Sequence, residues 1–336
     1  MTPSLSVILP VFNRANLLAH PLASLRAAAA VAPGLEWELI VMDDGSTEDI
    51  AAALAPFADL PIRFHRQKNR GLLAARLAGL ALARHEAIFF LDGDDAVAPG
   101  KFTAQLPALG DADVVYGDVA RSTIDGSGHS LEPLRADAPQ PSCTEPAEFY
   151  LAVQPAPHNP IFRRLYLESA VAAALFPADR AYDSIAETWF YYQLSVRPAR
   201  IVYAPGAWSI VGEPAGERLS RKWERQAAAS LRLMRAFLRH CPPTADTAEA
   251  RRRVGLCAFA TWRALPNGFP PAGAFLELWR QAPPSPRAAL GGAMFARATR
   301  VLGPATAGRL FKLAQRPSYR RIRTVDDPEL AALFSP

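Results

Sequence analysis

Ala87-Ile88-Phe89-Phe90-Leu91-Asp92-Gly93-Asp94-Asp95 is the stretch on which the fold can be read. A short apolar run ends abruptly in three carboxylates. The run predicts a strand buried on both faces, with its carboxyl end at a sheet edge. Three acids this close repel one another unless a cation or hydrogen-bond donors offset their charge. Oxygen ligands of this kind suit Mg2+ or Mn2+, which take one or two carboxylates together with substrate phosphates. The plainer reading is a solvated acidic turn at the end of a strand.

Working outward, Leu5–Val11 predicts a first buried strand, with Phe12-Asn13-Arg14 as the turn after it. Asn16 to Ala30 is helical from the spacing of Leu17, Leu18, Leu22 and Leu25 and its run of alanines. Trp37–Met42 is a second strand ending in Asp43-Asp44-Gly45-Ser46. Ser46 or Thr47 caps the next helix, with Asp49 in its first turn. Ile62–His65 is a short third strand, and Gly71 to Arg84 a helix with Leu73, Leu77, Leu80 and Ala81 on one face. Strand and helix thus alternate up to Asp92, the pattern of an open, mostly parallel sheet. Ligands of such sheets sit outside the carboxyl ends of the strands. Three polar loops leave those ends here, at 12–14, 43–46 and 92–95, and polar groups converging at one edge define a site.

Further on, Phe102–Leu109 predicts a helix, Val114–Val119 a strand, and the Gly-, Pro- and Ser-rich residues 122–146 an excursion or hairpin. Ile161–Arg164 is a short element, Tyr166–Leu175 and Ile185–Ser195 are helices, and Ile201–Tyr203 is a late strand. From Arg221 the pattern is helical, broken at Pro242-Pro243, Pro270-Pro271 and Pro283-Pro284.

With 336 residues, half of them hydrophobic, the chain is globular and long enough for two domains. No apolar run approaches the roughly 20 residues that span a bilayer. Met1-Thr2-Pro3-Ser4 leads straight into a strand, so no signal peptide is expected. Cys143, Cys241 and Cys257 fit neither a disulfide framework nor a zinc site and read as free thiols in a reducing compartment. Residues 216–336 hold 21 Lys and Arg against 8 Asp and Glu, a net of +13, whereas residues 1–215 hold 16 against 24, a net of −8. Two regions with different partners are expected, an acidic α/β region at 1–215 and a basic, mainly helical one at 216–336.

Four stretches in order carry a resemblance to a known family: Ser6-Val7-Ile8-Leu9-Pro10-Val11-Phe12-Asn13-Arg14, Leu39-Ile40-Val41-Met42-Asp43-Asp44-Gly45-Ser46-Thr47, Asn69-Arg70-Gly71-Leu72-Leu73-Ala74-Ala75-Arg76 and Phe90-Leu91-Asp92-Gly93-Asp94-Asp95. On these residues the chain resembles the family 2 glycosyltransferases, inverting enzymes of the GT-A fold. The match runs from residue 4 to about residue 120, thins to residue 220 and is absent beyond. The resemblance implies an open sheet of GT-A type flanked by helices, and a nucleoside diphosphate sugar as donor. Pro10 and Phe12, with Val11 and Asn13 beside them, would line the base and ribose slot. Asp44 would accept a uracil N3–H, which points to a UDP-sugar, and Asp43 would brace the loop. Arg76 would meet the nucleotide. Asp92, followed by Gly93, would hold ribose or a metal-bound water. Asp94 would ligate the Mn2+ or Mg2+ that bridges the two phosphates. Asp95 would position the donor sugar or orient Asp94.

The chemistry asks for these groups independently. Displacing a nucleoside diphosphate requires charge on the leaving phosphate to be stabilised, and the attacking acceptor hydroxyl needs a general base. The family supplies that base from an Asp in a Glu-Asp pair opening a helix. Here Glu187 is present and Thr188 stands where the Asp should be. Glu187 is the favoured base and Asp183, one turn earlier, the alternative; Glu187 as a first-turn acid favourable to the helix dipole is the plain reading. His158 is a candidate for the acceptor side against a simple turn. Arg218 and Ser220 are candidates for a loop over the diphosphate against a solvated helix start. Trp189, Phe190, Tyr191 and Tyr192 read as core before sugar-stacking residues, and Phe12 as both core and slot wall. A nucleotidyltransferase or a Rossmann dehydrogenase would want glycines after the first strand, and Pro10–Arg14 has none. A binding protein that keeps the fold without turnover is the non-enzyme rival, with Thr188 in its favour. The expected acceptor is a glycan or lipid-linked hydroxyl, with no nucleic-acid partner. The expected place is the cytoplasm, with peripheral contact to the anionic inner face of the cytoplasmic membrane through the basic region, against a basic subdomain that packs on the acidic half or contacts an anionic acceptor polymer.

Overall fold

A computed structural model describes residues 3–125, 134–214 and 223–335. The chain divides into two compact units, Met1–Ala174 with Ala178–Arg218 and Leu175–Pro177 with Leu219–Pro336.

In the first unit, the apolar Leu5–Val11 forms β1, buried along its whole length. It pairs in parallel with β2 (Trp37–Asp43) on one side and β4 (Ala87–Phe90) on the other, and β2 pairs in parallel with β3 (Ile62–Arg66). Helices α1 (Ala19–Ala30), α2 (Ile50–Leu54) and α3 (Leu72–Leu82) make the connections. The chain continues through β5 (Ala96–Val97), α4 (Lys101–Leu109), β6 (Val114–Ile124), β7 (Arg135–Ala136), the single turn α5 (Pro146–Glu148), β8 (Ile161–Arg163), α6 (Arg164–Ala172), α7 (Ala186–Leu194) and β9 (Ile201–Pro214). The sheet order is β3-β2-β1-β4-β8-β6-β9-β5, with β7 on β6. It is an open sheet flanked by helices, as the alternation of elements predicts. Its first four strands are parallel, and antiparallel pairing enters where β8 runs back between β4 and β6.

Two elements differ in length from the sequence reading. The strand read over Val114–Val119 continues to Ile124, and the one read over Ile201–Tyr203 continues to Pro214, the two pairing in parallel. Ala204-Pro205-Gly206 looks like a strand end, but these residues fall where the register shifts between Tyr116/Tyr203 and Asp118/Ala207. A bulge of this kind admits Pro and Gly without ending the strand. On the other face, α3 lies close to β1 because position 79 is glycine: a Cβ there would stand 2.4 Å from Ile8 Cγ2.

The second unit is helical, with α8 (Trp223–His240), α9 (Ala248–Ala264), α10 (Ala272–Gln281), α11 (Ala293–Leu302), α12 (Pro304–Gln315), α13 (Tyr319–Ile322) and α14 (Asp327–Phe334). The proline pairs fall in its connections. Its core is aromatic: Phe259 packs on Trp262, Trp279 and Phe295, and Phe269 on Trp223, Tyr319 and Phe334. All three cysteines are free thiols, Cys143 and Cys241 buried. Among the described residues no helix is long and apolar enough to cross a membrane.

Lys101, the first residue of α4, is fully buried. Its Nζ donates to Asn159 O at 2.9 Å and Ser209 Oγ at 3.0 Å and lies 4.7 Å from the centre of the Phe89 ring. Burial holds its pKa well below the ordinary lysine value of 10.5. In the window between the folded and unfolded values the unfolded chain binds the extra proton, so stability falls as pH drops from 10.5 through that window. Lys101→Met should remove this dependence. The stability difference between parent and Lys101→Met, from urea melts across alkaline pH, is expected to change by up to about 1.4 kcal/mol per pH unit. A difference that stays flat with pH would show that Lys101 is charged in the native state.

Candidate active site

Because β1 lies between β2 and β4, their three carboxyl-end loops meet at one edge. After β1, Asn13 and Arg14 both take left-handed conformations, with φ of 56° and 60°. The Asn13 backbone N–H donates to Ser46 Oγ at 2.8 Å, and its side-chain Oδ1 accepts from Thr47 N at 2.9 Å, which laces the first loop to the second. In the second loop, Asp43 Oδ1 accepts from Ser46 N at 2.8 Å, and Arg66 Nε lies 3.3 Å from Asp43 Oδ2. Asp43 therefore braces its own loop. Asp44 is buried and holds the approach to α3: its Oδ1 accepts from Gln67 Nε2 at 2.7 Å and Arg70 N at 2.9 Å, and its Oδ2 from Gly71 N at 2.8 Å. A carboxylate oxygen has two acceptor sites, so one at Oδ2 is left over from these three bonds.

The third loop is a turn, Asp95 N donating to Asp92 O at 3.1 Å, and its three acids have three different partners. Arg76 Nη2 donates to both Asp92 oxygens, at 2.7 and 2.9 Å. Arg14 Nη1 stands 3.4 Å from Asp94 Oδ2. Asp95 faces the interior, only 6% exposed, with Oδ1 accepting from Gly212 N at 2.9 Å and Oδ2 2.8 Å from His158 Nδ1. The repulsion expected among three adjacent acids is thus offset by two arginines, a histidine and a backbone N–H. Beneath the turn, Ser209 Oγ donates to the His158 carbonyl at 2.8 Å and accepts from Lys101, so strand β9 and helix α4 support the loop from below.

Arg76 also reaches the opposite wall. It is 1% exposed, and its Nη1 lies 3.5 Å from Glu187 Oε2 on the first turn of α7. Burial works against its charge, but Asp92 and Glu187 outweigh that and hold its pKa above the ordinary value. Burial pushes the Glu187 carboxyl up, partly countered by Arg76. Asp183 accepts from Leu73 N at 3.1 Å at the start of α3, and burial raises its carboxyl as well, with the Leu73 N–H and Arg180 opposing. It lines a pocket of about 430 Å³ with Arg70, Leu73, Leu77, Asp179 and Arg180. Behind Glu187, between Arg76, Phe90 and Tyr191, the space is about 10 Å³, room for about one water.

Other expected residues take different places. Pro10 and Val11 are buried within β1, whereas Phe12 is 51% exposed and not core. A Cβ on Gly93 would meet Leu18 Cδ2 at 3.9 Å, an ordinary contact, so the fold does not demand glycine there. His158 is 1% exposed within the turn at 156–159; it braces Asp95 and does not line an open acceptor site. Trp189, Phe190, Tyr191 and Tyr192 are all core. Arg218 and Ser220 lie outside the described residues. The pairings Arg14–Asp94 and His158–Asp95 have no signal in the sequence, since each joins residues far apart along the chain.

Among the described residues no three His, Cys, Asp or Glu side chains are gathered as a metal cage. The loop nevertheless fits a cation that shares its ligands with phosphate, which needs only one or two protein carboxylates. Asp92 and Asp94 have equally exposed side chains, at 24%; both oxygens of Asp92 face Arg76, whereas Asp94 stands beside Arg14.

Gly71 is the hinge of this arrangement, at φ +97°, where a Cβ would stand 1.9 Å from Asp183 Oδ2. Gly71→Ala should cost about 1–3 kcal/mol from backbone strain alone, together with displacement of Asp183. Urea melts read the first, and the second is read by NMR as an acid shift of the Asp183 titration, since burial is the main cause that raises it. A variant within about 0.5 kcal/mol of the parent would show that the loop relaxes freely.

Residues 6–170, the span of the sheet and its loops up to α6, match the family model "Glycosyl transferase family 2". A chondroitin synthase of Escherichia coli is 36% identical over 129 residues, 38% of this chain and 18% of that protein. This chain covers about a fifth of the length of several curated relatives it matches. Among solved structures, S. aureus TarS 1-349 in complex with UDP-GlcNAc aligns with a TM-score of 0.64 at 17% identity, over 96% of this chain and 93% of that one. A mannosyltransferase of Pyrobaculum calidifontis in complex with GDP-Man and Mn2+ aligns at 0.55 and 20% identity, over 93% and 88%. At such identities the structural likeness is one of fold. The sequence match lies on the strands and loops that gather the acids, and by it the chain belongs to glycosyl transferase family 2.

Proposed function

We propose that the chain is a metal-dependent, inverting glycosyltransferase. In this reading it moves a sugar from a UDP-sugar to a hydroxyl of a glycan, polysaccharide or lipid-linked acceptor. The observation that carries it is the buried Arg76, which ties the acid turn to Glu187, with Asp94 beside Arg14 at the strand end. Structural neighbours in complex with UDP-GlcNAc and with GDP-Man support a nucleotide sugar. The lean to uridine rests on Asp44, whose remaining acceptor site suits an imide N–H.

Asp94 would hold Mg2+ or Mn2+ together with the diphosphate, and the bound cation supplies Lewis-acid stabilisation of charge on the leaving phosphate. Arg14 adds a positive charge at the same place. Glu187 takes the proton from the acceptor hydroxyl, and the acceptor oxygen bonds the anomeric carbon as the bond to the diphosphate breaks on the opposite face, inverting the centre. A carboxyl raised by burial is a better base near neutrality than an ordinary one. Asp183, lining the larger pocket, is the second reading for the base. The same proposal places the work in the cytoplasm, at the anionic inner face of the membrane.

Calorimetry with UDP, with and without Mn2+, tests the donor site. Asp94→Ala is expected to abolish the Mn2+ dependence of UDP binding, and an unchanged dependence would reject the assignment. For the base, Glu187→Gln should lose about 10²–10⁴-fold in turnover while keeping UDP affinity. It should also lose the acid limb of kcat, which in the parent lies above the ordinary glutamate value of 4.5. Near-parental turnover would move the role to Asp183. Donor binding without transfer in the parent would mark a binding protein, and retained configuration in the product, by NMR, would reject the mechanism.

A further inference from the structure

The α11–α12 hairpin of the second unit has two apolar sides, and only one of them is used by the core. Inward, Phe295 packs edge-on to Phe311 and against Phe259, with the Arg263 guanidinium 3.7 Å from its centre. Lys312 Nζ donates to Trp262 O at 2.9 Å, and Gly308 lies so close to Trp262 that a Cβ would stand 2.3 Å from its ring. These contacts fix which face of the hairpin points out. On that outer face Met294 is 69% exposed, Val301 85%, Leu310 50% and Leu313 69%.

The charge around them is of one sign. Residues 278–325 contain ten Lys and Arg and no Asp or Glu. Arg297 lies between Met294 and Val301 at helical spacing, and Arg309 sits one turn before Leu313, so cations and aliphatic side chains share one face. Arg297 and Arg300 of α11, Arg309 of α12 and Arg316 just past its end are all exposed. A polyanion such as nucleic acid or an acidic glycan would satisfy the arginines and leave four large aliphatic side chains in water. A surface that takes both is one with anionic headgroups over hydrocarbon, where arginine stems lie along the apolar layer and their heads stay among phosphates.

We infer that the outer face of the α11–α12 hairpin is a docking surface for an anionic phospholipid bilayer. The hairpin would lie in the headgroup plane without crossing it, with Met294, Val301, Leu310 and Leu313 immersed. This names the element behind the membrane location proposed above. Its test is read without donor or turnover, so either reading can fail alone.

Flotation of the full-length chain with vesicles of phosphatidylglycerol and phosphatidylcholine decides it. The parent should float at low salt, weaken as salt rises, and fail to float with phosphatidylcholine alone. Met294→Gln/Val301→Gln/Leu310→Gln/Leu313→Gln alters exposed positions only, so its thermal melt should match the parent, while its vesicle partition coefficient should fall at least about tenfold. Arg297→Gln/Arg300→Gln/Arg309→Gln should lose on the order of a hundredfold at low salt. The inference is overturned if the parent fails to float at low salt or if the four-glutamine variant floats as well as the parent. It is also overturned if that variant instead abolishes a dimer seen by light scattering without vesicle binding, or if heparin or RNA binds as tightly as vesicles and the variant does not notice.

Discussion

The Arg76 guanidinium sits 1% exposed between Asp92 and Glu187, and the site is built on that contact. A cation in this position is tolerable only because two carboxylates offset the loss of water. Removing one partner from such a buried set costs about 3–5 kcal/mol. The bidentate grip on Asp92 fixes the acid turn against α3, and the longer reach to Glu187 fixes the start of α7 against both. The contact is possible because Gly79, one turn along α3, lets the helix settle onto Ile8 of β1. Packing of helix on strand and pairing of charge are thus one constraint. The same arginine holds both oxygens of Asp92, while Asp94 stands beside Arg14 at the strand end.

Below the turn the support is polar and continuous. Asp95 accepts from Gly212 and faces His158; the His158 carbonyl accepts from Ser209, and Ser209 accepts from Lys101. Asn159 adds a pair of bonds with the backbone of Gly117, at 2.9 and 3.0 Å. Networks of this kind are costly when half satisfied and rigid when complete. This one ties β9, β6, the 156–159 turn and α4 to a loop that carries three acids. Gly212 belongs to it for want of space, since a Cβ there would overlap Asp94 O at 1.7 Å.

In the helical unit the constraint is aromatic. Phe259 and Phe269 each gather three rings on the inward faces. What stays outside on α11 and α12 is aliphatic and basic. Its orientation follows from the core contacts of Phe295, Gly308 and Lys312 and from no feature of the outer residues themselves.

How much of this was legible in the sequence follows from the range over which each cause acts. Apolar runs ending in acids identify β1, β2 and β4 and their carboxyl-end loops, because strand burial and strand ends are local properties. The order of the four motifs named the family, and the proline pairs marked the helical connections. The passage of β9 through Pro205 and Gly206 was hidden, because those residues break a strand unless a partner strand shifts register beside them. The antiparallel return of β8 was hidden too, since three residues carry no directional signal. Asp95 and His158 were both visible as polar residues, yet their pairing depends on β8 and β9 folding back beneath the turn. Arg76 and Glu187 lie 111 positions apart, and Arg14 and Asp94 lie 80 apart. The sequence by itself determined which residues stand at the strand ends. Which acid keeps a face to solvent and which is spent on a buried partner was decided by the tertiary structure alone, because the fate of a carboxylate depends on the donors that distant segments bring within about 3 Å of it.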